Sequence, residues 1–322
     1  TWKVFIRPSC RKPCAQPLPA SPIRSLSRDR VPGTKGPVHA DWGCPTLVVL
    51  EQRIVQENPL SSNPTPRGAI VVGVDGSPSS DRALDWAVDE AARRGLPLHI
   101  IHGFPHRDPM TRFGIGYTID GLSDQAEGIR TNAISRARRA QPELAITWAE
   151  SVDGPTTALV DASTTADSVV VGPRGMSRAR GVLMGSVSLQ VSARAHCPVV
   201  VVHKQLVAAV GAPVVVGIDG SAASTNAIAY AFEQARSRGA ALTVVHTWGM
   251  DLVEGASASE RWTVDWQAFA QEEKDLVATS IAGWQERYPD VAVRQHNVRA
   301  LPVQTLVRQS EDACLVVVGT RG

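Results

Sequence analysis

The sequence predicts an α/β protein: a doubly wound sheet of five parallel strands in the order 3-2-1-4-5, present as two tandem copies, the second incomplete. Three observations carry this prediction. Short continuous apolar runs alternate with stretches of helical period, the pattern of strand–helix–strand units. Whole segments return 144 residues later. One apolar run ends in a glycine loop that re-enters a helix at a small hydroxyl residue.

Taken in order, residues 1–67 stand apart. They hold eleven of the 22 prolines and ten Lys/Arg against four Asp/Glu. A segment of this composition buries too little apolar surface to offset its chain entropy, so disorder is expected. The alternative is a basic arm that docks on a partner or nucleic acid. From Gly68 the texture changes. Residues 69–75 read as a buried strand ending in Asp75. Ser77 is placed as an N-cap, Pro78 at the first helical position, and Gly95 as the helix stop. Between them Ala83, Leu84, Ala87, Val88 and Ala91 recur at helical spacing and form one apolar face. Residues 97–103 make the second strand, 104–121 a long loop and 123–140 a helix. A third strand covers 144–152, a short helix 155–165 and a fourth strand 168–172. A helix from 187 to 195 leads to a fifth strand at 197–203.

The repeat then begins. Val71-Val72-Gly73-Val74-Asp75-Gly76-Ser77 is answered by Val215-Val216-Gly217-Ile218-Asp219-Gly220-Ser221. The same offset takes Gly95 to Gly239 and His102 to His246, and near the glycine loop it becomes 147, taking Gly172 to Gly319. The units are therefore 68–204 and 213–322, with a linker at 205–212. The second copy reaches only Gly322 and lacks the Gly-Ser step, the following helix and a fifth strand. Its fourth strand is expected to be left as an open edge, and the chain is read as truncated at its C-terminus.

Composition narrows the function. Net charge is +2, with +6 in residues 1–67 and −4 in the rest, so the globular part offers no broad basic face for nucleic acid. Cys10, Cys14, Cys44, Cys197 and Cys314 form no CxxC pair and no even framework, which fits a reducing, cytoplasmic setting. No apolar run approaches the roughly 18–20 residues of a membrane span, and no apolar leader opens the chain. No metal site is expected, since no second acid accompanies Asp75 at a metal-like spacing.

The chemistry is read at two strand ends. In a doubly wound sheet the ligand lies beyond the carboxyl ends of the strands, where the strand order reverses. That crevice is flanked by the first strand, ending in Asp75, and the fourth, ending in Gly172. Glycines let backbone N–H groups approach an anion, and a helix start adds unpaired donors and a favourable dipole. Ser186 is placed as the N-cap of that helix. Gly172-x2-Gly175-x9-Gly185-Ser186 resembles the ATP-binding motif of the universal stress protein family, with no departure at those four positions. The resemblance covers residues 68–203 and 213–322. Together with Trp284-Gln285-Glu286-Arg287-Tyr288-Pro289 and the tandem layout, the chain looks most like the two-domain mycobacterial members. The resemblance implies a Rossmann-like fold and adenine nucleotide, as ATP with or without Mg²⁺. Gly73 and Asp75 would border the nucleoside, with backbone near His102 facing the base. Gly172, Gly175, Gly185, Ser186 and Val187 would hold the phosphates, with Arg174 and Arg178 on the intervening arm. In the second copy Gly217, Asp219, Gly319, Thr320, Arg321 and Gly322 match.

Each assignment has a plainer alternative. Glycines after strands are also turns, Asp75 could serve only its own helix cap, and His102 and His246 could be strand-end histidines with satisfied rings. No G-x4-G-K-[ST] occurs, and no Asp, Glu or His lies within residues 172–187 to orient an attacking water. Three functions stay open: an ATP-binding regulatory protein that is not an enzyme, a slow ATPase or adenylyl-transferring enzyme, and a dimerising module that binds no nucleotide. Pairing is expected either between chains, as a homodimer, or between the two copies within one chain.

Overall fold

The computed structural model describes residues 64–104, 119–173, 184–203, 211–249 and 265–319, with the backbone alone at 2–6 and 119–123. The first copy contains β2 (Ile70–Gly73), α1 (Pro78–Arg94), β3 (Leu98–Gly103), α2 (Ile119–Ala140), β4 (Ile146–Ser151), α3 (Pro155–Ala162), β5 (Ser168–Val171), α4 (Ser186–Arg194) and β6 (Val199–Val202). The second contains β7 (Val214–Ile218), α5 (Ala222–Arg238), β8 (Leu242–Thr247), α6 (Trp266–Arg287), β9 (Val293–Val298), α7 (Pro302–Gln309) and β10 (Leu315–Gly319). Ahead of both, Trp2–Ile6 forms β1.

The ten strands among the described residues join one sheet in the order β4-β3-β2-β5-β6-β1-β10-β7-β8-β9. Within the first copy this is five parallel strands in the predicted order 3-2-1-4-5, and the second copy supplies four parallel strands. The central strands are apolar on both faces because helices cover both, so they read as runs rather than alternations. The predicted face of α1 is buried: Ala83, Leu84 and Ala87 are fully covered by the sheet. The predicted caps hold as well. Ser77 Oγ accepts from Ser80 N, and Gly95 closes α1 in the left-handed conformation at φ 63°. Ser221 and Gly239 do the same for α5.

One apolar core runs through both copies on the α1/α5 side of the sheet, including Trp86, Val200, Val202, Val214, Phe232 and Leu315. The pairing of copies within the chain is thus a continuous core as well as a continuous sheet. On the opposite face of the first copy, Val171, Val199 and Val201 pack beneath α3 and α4 with Leu159 and Val191.

Two local expectations differ from the structure. Within residues 1–67, expected to lack structure, Trp2–Ile6 forms a strand, parallel to β6 and antiparallel to β10, while residues 7–63 lie outside the described residues. This run is β-branched and aromatic, with high strand propensity in an otherwise proline-rich stretch. It also fills the edge of β10 that the sequence leaves open, which gives that edge its ladder partners. Second, α2 begins at Ile119, inside the expected loop of 104–121. Within that loop, residues 105–118 lie outside the described residues.

Candidate functional site

Parallel pairing of β2 with β5 sets their carboxyl ends side by side, so Asp75 and Gly172 emerge at the same edge of the sheet. After β2 the chain turns sharply, with Gly76 at φ 77°. The turn is locked by its own side chains. Asp75 Oδ1 accepts from Ser77 N at 3.0 Å, an aspartate turn. Ser80 Oγ donates to Ser77 O at 2.9 Å and accepts from Asp75 N at 3.3 Å. Asp75 therefore opens the helix and half-faces solvent, with a fixed backbone behind it.

At the end of β5 the two loops touch. A Cβ placed on Gly172 would lie 2.5 Å from Ser79 Oγ and 2.9 Å from Ser79 O. Only a residue without a side chain allows the β5 tip to sit this close to the first turn of α1. The ends of the following arm are also tied together: Gly185 N donates to Pro173 O at 2.5 Å, and Ser188 Oγ donates to Pro173 O at 3.0 Å. Arg174, Gly175 and Arg178 belong to that arm and lie outside the described residues.

The placement of Ser186 needs correction. Gly185 is the N-cap of α4, without a side-chain cap hydrogen bond, and Ser186 is the first helical residue. The hydroxyl that reaches back is that of Ser188, which donates to Gly185 O at 3.0 Å. A glycine cap leaves the first-turn N–H groups without the side-chain oxygen that a serine cap would supply, and Ser186 and Val187 lie in this first turn. Ser186 is exposed.

The histidines take the plainer role in part. His102 Nδ1 donates to Val74 O at 2.9 Å and so ties the β3 tip to the β2 tip. Its ring lies edge-on to Phe104 at 5.2 Å and stacked on Trp148 at 6.3 Å. His246 repeats the bond to Ile218 O at 2.9 Å, and its Nε2 lies 2.6 Å from Glu273 Oε2. Glu273 has no counterpart in the first copy, where the equivalent helix position is Ala126, at the 147-residue offset that relates Ile119–Ala140 to Trp266–Arg287.

In the second copy a cleft of about 150 Å³ opens at the matching edge, lined by Gly217, Asp219, Ser221, Thr247, Leu306 and Gly319 among others. Asp219 Oδ1 accepts from Ser221 N at 2.9 Å and also from Ser224 Oγ. Burial pushes the Asp219 carboxyl up, but the hydrogen bonds from Ser221 and Ser224 outweigh it and hold the group below the usual carboxylate range. Ser80 and Ser224 occupy equivalent places in the two turns and were missed in the sequence; their spacing of five residues from each aspartate is the signal that would have found them. Thr320, Arg321 and Gly322 lie outside the described residues. Among the described residues no group of three or more His, Cys, Asp or Glu could hold a metal, and no helix is long and apolar enough to cross a membrane.

The universal stress protein family model matches residues 67–203 and again 212–322. The chain belongs to the universal stress protein family. A universal stress protein of Mycobacterium tuberculosis is 38% identical over 265 residues, covering 79% of this chain and 86% of the relative. A second from the same organism is 38% identical over 271 residues, covering 81% and 90%. One from Mycolicibacterium smegmatis is 37% identical over 265 residues, covering 79% and 87%. Among solved structures, a universal stress protein from Archaeoglobus fulgidus superposes with a TM-score of 0.54 at 18% identity, covering 79% of this chain and 96% of that one, which supports the fold. The match over both copies agrees with the internal repeat.

Proposed function

We propose that this universal stress protein binds ATP at the β2/β5 edge of its first copy and acts as a nucleotide-dependent regulatory protein in the cytoplasm. The observation that supports this best is the contact of Gly172 with Ser79. It brings a glycine loop against the turn that carries Asp75, closer than a Cβ at residue 172 would allow. Gly73 and Asp75 would border the nucleoside, with the backbone beside His102 facing the base. Gly172, Ser186 and Val187 would offer backbone N–H groups to the phosphates, Gly185, whose own N–H donates to Pro173 O, would let them approach closely, and Arg174, Gly175 and Arg178 are assigned to the same phosphates, with or without Mg²⁺. The glycine cap of α4 fits this role, because its first-turn donors are not taken by a cap side chain.

Holding ATP, rather than turning it over, is favoured because residues 172–187 contain no Asp, Glu or His to activate water. The matching residues of the second copy are Gly217, Asp219, Gly319, Thr320, Arg321 and Gly322. Homodimerisation would add to the pairing of copies inside the chain. The test is a calorimetric titration of the full chain with ATP. Saturable binding is expected, with the affinity of the first-copy site weakened at least about tenfold, or about 1.4 kcal/mol, in Asp75→Ala. No binding by the wild-type chain, or an unchanged affinity in Asp75→Ala, would contradict the proposal.

A further inference from the structure

Helices α1 and α5 meet where the two copies pack, and the 144-residue offset matches Trp86 with Tyr230, Glu90 with Gln234 and Arg94 with Arg238. Gln234 Nε2 donates to Glu90 Oε1 at 2.8 Å across this interface. A residue that touches its own counterpart lies on the axis relating two halves. Glu90 and Gln234 therefore mark a pseudo-two-fold axis, and both are 0% exposed.

The groups facing Glu90 come from both copies. Arg93 Nη1 and Arg238 Nη2 reach its Oε2 at 2.6 and 2.7 Å, and Arg94 Nη1 lies 3.9 Å from Oε1. Arg238 Nη2 also donates to Gln234 Oε1 at 2.8 Å, and its guanidinium sits 5.6 Å from the centre of the Trp86 ring. Arg94 is bidentate on Asp167, at 2.6 and 2.8 Å. Burial pushes the Glu90 carboxyl up, but Arg238, Arg93, Gln234 and Arg94 outweigh it and hold it below the usual range.

Substituting one copy for the other shows what the axis selects. Two first copies would set Glu90 against Glu90, two buried carboxylates face to face without the Gln234 amide to donate between them. Two second copies would set Gln234 against Gln234 and bury two Arg238 guanidiniums with no carboxylate. There Arg93 and Asp167 are replaced by their counterparts Ser237 and Cys314. Only the unlike pair places one carboxylate before one amide and one guanidinium.

We infer that Glu90 and Gln234 form a recognition pair that makes the first copy dock on the second and rejects like-with-like pairing, within a chain or between chains. The α1 surface fits a partner that presents an amide and an arginine where α1 presents its own carboxylate. This stands apart from nucleotide binding, since it concerns α1 and α5 rather than the β2/β5 edge.

The like pairs can be built inside the full chain. Gln234→Glu sets two carboxylates at the axis, as in two first copies, and Glu90→Gln sets two amides there, as in two second copies. The double variant Glu90→Gln/Gln234→Glu restores an unlike pair in reverse. Urea unfolding is expected to show a lower midpoint for each single variant. The double variant is expected to have an unfolding equilibrium constant at least about tenfold below that given by multiplying the single effects. If Gln234→Glu alone fails to fold, recovery of folded protein on adding Glu90→Gln supports the proposal. Failure of the double variant to recover, simple additivity, or a wild-type midpoint for either single variant would overturn it.

Discussion

Gly172→Ala is the smallest perturbation that reaches the proposed site. The added carbon would lie 2.5 Å from Ser79 Oγ, 2.9 Å from Ser79 O and 3.0 Å from Ser79 C. A hydroxyl can rotate away, but the Ser79 carbonyl belongs to the first turn of α1, which the Ser77 and Ser80 bonds hold in place. The β5 tip must therefore retreat by roughly 0.5 Å to restore ordinary carbon–oxygen contact. Overpacking of this kind costs about 1–3 kcal/mol. In a chain with a few hundred folded residues each kcal/mol lowers Tm by about 2–4 °C. Because the displaced loop is the proposed phosphate cradle, ATP affinity should fall at least about tenfold. Gly319→Ala is the internal control. There the new carbon meets Ala223 Cβ at 3.4 Å, an ordinary contact, so the change should lie within about 0.5 kcal/mol of wild type. Urea unfolding and ATP titration of both variants read the two effects. Equal behaviour of Gly172→Ala and wild type, or an equal loss at both positions, would refute the reasoning.

Two further outcomes follow from burial. His99 in β3 is buried, its Nδ1 is 2.7 Å from Thr147 Oγ1, and burial lowers its pKa to about 4. The unfolded chain takes up a proton near pH 6.5 while the folded one does not. The stability this group contributes is thus fully present above about pH 6.5 and is lost as pH falls toward about 4, by up to about 3 kcal/mol. His99→Gln, which keeps a partner for Thr147, should flatten the acid limb of the stability curve; an unchanged limb would contradict this. Burial also pushes the Cys197 thiol up to about 12, so peptide mapping should find it unalkylated in native protein at neutral pH, and rapid native labelling would count against its burial.

Much of the fold was legible because it rests on local chemistry that recurs. Ser77 and Gly95 act as caps by side-chain and backbone geometry that needs no tertiary partner, and the offset to Ser221 and Gly239 doubles the signal. The meeting of the β2 and β5 tips was legible because parallel strand order is narrowly constrained in such sheets. What stayed hidden depends on contacts across the chain. Trp2–Ile6 is too short to announce a strand, and it becomes one only between β6 and β10. Ser186 reads as an N-cap by residue type, but the tie of Gly185 to Pro173 moves the cap back by one residue. Glu90 looks like a solvated helix charge until Gln234 and Arg238 arrive from 144 and 148 residues away.

The most direct measurement of the central claim is mass spectrometry of the small molecules released when purified, desalted protein is heat-denatured. ATP is expected in the wild-type release and is expected to be lost in Gly185→Glu, where a carboxylate would stand at the head of α4. Nucleotide released equally by both proteins would contradict the placement of the site. No nucleotide from wild-type protein, together with no uptake of added ATP, would contradict nucleotide binding altogether.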